Sequence, residues 1–94
     1  MIFELQIEEG FDADLVSIME QYTIDGLQRE YAETWCGCAV LTDIFSNKML
    51  LVVLLNGAAA CDQLEQSGFV PQQIANFASY LTATPIIRRC SVQV

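Results

Sequence analysis

The chain of 94 residues contains no histidine, and only four of its residues are basic against twelve that are acidic. Each shortage excludes a class of function. Histidine is the side chain whose ordinary pKa lies nearest neutrality. Without it, a single chain cannot build a Ser–His–Asp or Cys–His nucleophile system, or a zinc site that uses imidazole. The scarcity of lysine and arginine leaves a formal net charge of -8. That field repels phosphate backbones, so no nucleic-acid binding is expected. Long apolar runs are missing too. The longest, Met49 to Leu55, falls far short of the ~20 residues of a membrane-spanning helix, and no membrane association is expected. Met1 to Glu8 carries no basic stretch of the kind that opens a secretory signal. The expected compartment is therefore the cytoplasm, with Cys36, Cys38, Cys61 and Cys90 present as reduced thiols. Neither a structural metal nor a cofactor is expected.

What is plentiful is apolar surface. Hydrophobic residues make up 53% of the chain and charged residues 17%, against about 45–50% and 25% in an average domain. A chain this short forms one domain, residues 1–94, with a modest core. Surplus apolar content in a small domain implies either a dense core or an apolar surface that a partner covers.

The residue pattern predicts an α+β fold. Phe3, Leu5 and Ile7 alternate with Glu4, Gln6 and Glu8, which reads as a strand with one buried and one polar face. Asp12 and Asp14 supply capping and first-turn charge for a helix whose stripe is Leu15, Ile18, Met19 and Tyr22. Asp25-Gly26 interrupts that stripe, and residues 24–33 receive no assignment. Thr34 to Ile44 and Met49 to Leu55 read as a hairpin joined by a two-residue turn at Ser46-Asn47. Asn56-Gly57 caps a helix from Ala58 to about Gln66, which ends at Gly68. Pro71 opens another with Ile74, Phe77, Ala78 and Leu81 on one stripe. Ile86 to Val94 closes the chain as a strand, with Arg88, Cys90 and Val92 on one side. The order βαββαβ is that of the ferredoxin-like split βαβ arrangement: a four-stranded, antiparallel-rich sheet with helices on one face.

No motif places a catalytic group. Cys36-Gly37-Cys38 puts two thiols on one face of a strand, but without a complete ligand set they read as core filling. The carboxylates Glu8, Glu9, Asp12 and Asp14 read as caps and solvated charge. Leu64 to Pro71 imitates a helix-turn-helix, yet the following helix has no lysine or arginine to contact DNA. Arg88, turned inward, is expected to meet an internal carboxylate such as Glu4, or an anionic ligand; Tyr22 is a second candidate ligand contact.

In a two-residue hairpin, Cys36, Cys38, Val40, Met49, Leu51, Val53 and Leu55 share one sheet face, expected under the helices. Trp35, Ala39, Leu41, Leu50, Val52 and Leu54 share the other, rimmed by Glu4, Gln6 and Glu8. Trp35, Leu41, Leu50, Val52 and Leu54 are therefore candidate interface residues. The function expected is a non-catalytic acidic module, of the immunity-protein, antitoxin or inhibitor type, that acts as a homodimer or on a basic protein partner. The alternative is a homo-oligomeric domain holding a small apolar ligand between sheet and helices. As a histidine-free enzyme it would have to draw on Tyr22, Tyr31, Arg88 or a cysteine.

Overall fold

The computed structural model describes residues 1–43 and 45–91. The alternating first segment is strand β1 (Ile2–Gln6), followed by α1 (Asp12–Ile18), a π-helical segment (Met19–Ile24) and α2 (Asp25–Glu30). The hairpin strands are β2 (Trp35–Thr42) and β3 (Lys48–Leu55). Next come α3 (Ala58–Gln66), α4 (Phe69–Phe77), a 3-10 turn (Ala78–Tyr80) and the short strand β4 (Ile86–Arg88). The chain is α+β. Its four strands form one antiparallel sheet in the order β2-β3-β1-β4.

Register sorts the side chains by face. Phe3 lies opposite Leu51 and Ile87, and Leu5 lies opposite Met49. These residues meet Leu15, Met19, Leu27, Leu64, Phe69 and Phe77 in one hydrophobic core. All the helices that feed this core therefore lie over one side of the sheet. Each large aliphatic side chain removed from water here contributes on the order of 1.5–3 kcal/mol. The β2–β3 turn runs from Asp43 to Lys48, whose backbones bond to each other at 3.1 Å. It is longer than the two-residue turn expected from Ser46-Asn47. Its length is still even, so the register moves by two residues, which places Leu41 opposite Leu50 and Val40 opposite Leu51 and leaves each side chain on its expected face.

The first helix departs from the expected stripe. Asp25-Gly26 does not break it; α1, the π-helical segment and α2 run on continuously to Glu30. Leu15, Met19, Thr23 and Leu27 are fully buried, at a strict spacing of four residues. An α-helix advances about 100° per residue, so a spacing of four drifts by about 40° per step. The wider π turn takes up that drift and keeps all four on the core. Tyr22 is consequently turned outward, at 54% exposure.

The second helical unit differs in a similar way. α4 begins at Phe69, after Gly68 in the left-handed region (φ 83°), and buries Phe69, Gln73 and Phe77. Ala78 is exposed instead of covered. Asn56 does not cap α3; its side-chain amide donates to the Glu33 carbonyl at 2.9 Å. The last strand ends at Arg88. Ile87 faces the core and Arg88 faces away from it, so the inward arginine expected from the alternation is corrected. Val92 and Val94 lie outside the described residues.

Candidate functional site: the open face of the sheet

Among the described residues nothing covers the side of the sheet opposite the helices. Ile2, Ala39, Leu41, Leu50, Val52, Leu54 and Ile86 share this face, as their pairing shows. None belongs to the core cluster. Leu41 is 54% exposed, Ile86 48% and Leu54 40%. Leu50, Val52 and Ile2 are half-buried. At the tip of the β2–β3 connection Phe45 is 92% exposed. Alternation along interior strands with helices on only one side forces this outcome, because β3 is apolar at every position from Met49 onward.

Charge enters the face at one place. Glu4 lies in β1, an interior strand, with its side chain 19% exposed. Arg88 Nη2 lies 3.1 Å from one of its carboxylate oxygens and Lys48 Nζ 3.9 Å from the other. Both cations are diagonal cross-strand neighbours of Glu4, the spacing at which long side chains meet across a sheet. Glu4 thus sits within the face, not on its rim. A depression of about 380 Å³ runs beside this triad, lined by Ile2, Leu41, Leu50, Asp43 and Cys90 among others. The Asp43 carboxyl at its edge is held below the usual carboxylate range, chiefly because it accepts the Phe45 backbone N–H at 2.8 Å.

Other candidates are separated by the fold. A β-bulge between Trp35 and Gly37 moves Trp35 opposite Leu55, on the covered side, where it packs against the core. Trp35 is therefore not a member of the open face. The same bulge splits the cysteine pair. Cys36 is exposed and its thiol donates to Asn56 Oδ1, whereas Cys38 is half-buried opposite Val53. Cys36 falls at the bulge without a strand partner, so the regular i, i+2 relation of the two thiols is lost. Burial pushes the Cys38 thiol up to about 11, so it is neutral and poorly nucleophilic at physiological pH. Tyr22 is on the helix layer and Arg88 on the open face, so the two candidate ligand contacts do not converge. Among the described residues no three Cys, Asp or Glu side chains group as metal ligands.

Arg89, next to Arg88, points elsewhere. It forms a two-pronged bond to Glu65 at 3.0 and 2.5 Å and contacts Asp62 at 2.8 Å, tying the end of β4 to α3. This pairing holds the Glu65 carboxyl below its ordinary value. Sequence reasoning missed Ile2, Ile86 and Phe45 as parts of the exposed apolar surface. The signal for Ile2 was its shared parity with Glu4. No protein-family model matches the chain, and no curated protein is similar to it in sequence.

Proposed function

We propose that this chain is a non-catalytic protein-binding module that works through the open face of its sheet. The observation that carries this reading is the run of uncovered aliphatic side chains across all four strands. Leu41, Leu54 and Ile86 each forgo on the order of 1 kcal/mol or more of burial while they face water. Soluble domains use such contiguous patches as interfaces. The lack of histidine and the neutral Cys38 thiol agree with a module that does no chemistry. The space between sheet and helices is filled by Phe3, Leu5, Met49, Leu51 and Phe77, which favours a surface partner over an enclosed small ligand. The architecture we assign is the ferredoxin-like split βαβ arrangement. Counted from the β4 edge the order is 4-1-3-2, with antiparallel neighbours and helices on one side. The same acidic charge speaks against nucleic-acid partners.

Residue-specific photo-crosslinking in the producing cell tests the reading. A photoreactive side chain in place of Leu41 is expected to capture a discrete protein species. The same group in place of Glu20, on the exposed side of the helix layer, is expected to capture none. Equal adducts at both positions, or none from position 41, would refute it.

A further inference from the structure

We infer that the occupant of the open face is a second copy of this chain, packed sheet against sheet about a twofold axis; the inference rests on the reading of that face as the binding surface. The argument is one of charge and area. Glu4, Asp43, Lys48 and Arg88 are the charged groups that line the depression in the face. Two are negative and two positive, so they cancel. The acidic excess behind the formal charge of -8 therefore lies outside this depression, and it includes Glu8, Glu9, Asp12 and Asp14 of the β1–α1 connection. A basic partner would be drawn there by electrostatic steering, and away from this face.

A second copy meets no such mismatch. An isologous interface brings a patch against itself, and a patch that is locally neutral does not repel its own image. Glu4 is already paired with Arg88 and Lys48 within one chain, so face-to-face packing leaves no charge without a counter-charge. Aliphatic side chains on two such faces interdigitate at the separation of stacked sheets, ~10 Å. Strands about 4.8 Å apart, of eight residues at most, give a flat footprint of about 400 Å². Side-chain relief enlarges it toward the ~600–800 Å² per partner of small specific interfaces. An interface of this size is at the small end of specific association, so the dimer is expected to dissociate on dilution.

The acidic remainder sets the sign of the salt effect. Two bodies of charge -8 repel at low ionic strength, and salt screens that repulsion without weakening the apolar contact. Added salt should strengthen the dimer, whereas it would weaken a complex with a basic protein. Sedimentation equilibrium across a concentration series, at low and high salt, reads this directly. Wild type is expected to dimerise, with its dissociation constant falling several-fold as salt rises. Val52→Arg and Leu41→Arg are expected to be folded monomers; Leu41 is the more exposed position and so the safer substitution for folding. Glu4→Gln leaves two cations on each face and should weaken the dimer several-fold at low salt, with recovery at high salt. A wild type that stays monomeric throughout, a dimer that weakens with salt, or a dimer that survives both folded arginine variants would overturn the second copy as occupant. The broader reading fails separately, when position 41 captures no protein of any kind in the cell.

Discussion

Thr23 and Gln73 form a side-chain hydrogen bond inside the core, with the Thr23 hydroxyl donating to Gln73 Oε1 at 2.6 Å. Thr23 is fully buried and Gln73 nearly so. A buried amide oxygen without a donor costs its full desolvation, about 1–3 kcal/mol. Thr23→Val keeps the shape of the side chain and removes the donor. It is expected to lower the unfolding free energy by about that amount in a urea titration, and Thr23→Val with Gln73→Leu should recover part of the loss. A neutral single substitution would mean that the bond contributes nothing. Residues of this kind were not legible in the sequence. Gln73 reads as an outward polar position because nothing in its neighbours reveals Thr23, fifty residues away. Trp35 misled for a related reason: one bulge shifts its parity, and a bulge in a strand of small residues has no reliable signature. Arg88 and Glu4 were paired correctly by chemistry; Glu4 lies on the side its alternation gave it, whereas Arg88 joins it there instead of turning inward.

At the scale of elements, period was informative where it was regular and misleading where a helix changed its pitch. The alternation of β1 and the unbroken apolar run of β3 were legible, since both follow from which sides of a strand are covered. The first helix was not, because Leu15, Met19, Thr23 and Leu27 follow a four-residue spacing that an α-helix cannot hold on one side. The π-helical segment can be read as one residue too many between Met19 and Thr23. Deletion of Gln21, which is exposed, would space the same four side chains by four, three and four residues. In an unbroken α-helix they would then lie within about 60° of arc. The deletion is expected to leave the unfolding midpoint unchanged or raise it, with a change within about 1 kcal/mol. A loss of several kcal/mol would contradict the account of the π turn as a spacing device. The even parity of the β2–β3 connection mattered more than its length. The expected faces survived a longer turn because only an odd change would have exchanged them.

For the whole molecule, the fold class and the surplus of apolar surface were legible together. A small chain with more aliphatic residues than one core can use must expose some of them, and a sheet covered on one side fixes where. The location of the charge was not legible. Composition announces an acidic protein, yet the charges that line the depression of the open face balance, and the triad of Glu4, Lys48 and Arg88 appears only once the strands are paired. This separation of a neutral apolar face from an acidic remainder is the central physical feature of the chain. Its most direct test is a dilution series of isotope-labelled protein, followed through backbone amide shifts. If the open face is the association surface, concentration-dependent shifts should be confined to Ile2, Glu4, Ala39, Leu41, Leu50, Val52, Leu54, Ile86 and their immediate neighbours. Shifts that instead cluster on α1, α3 or α4 while the sheet stays silent would contradict it.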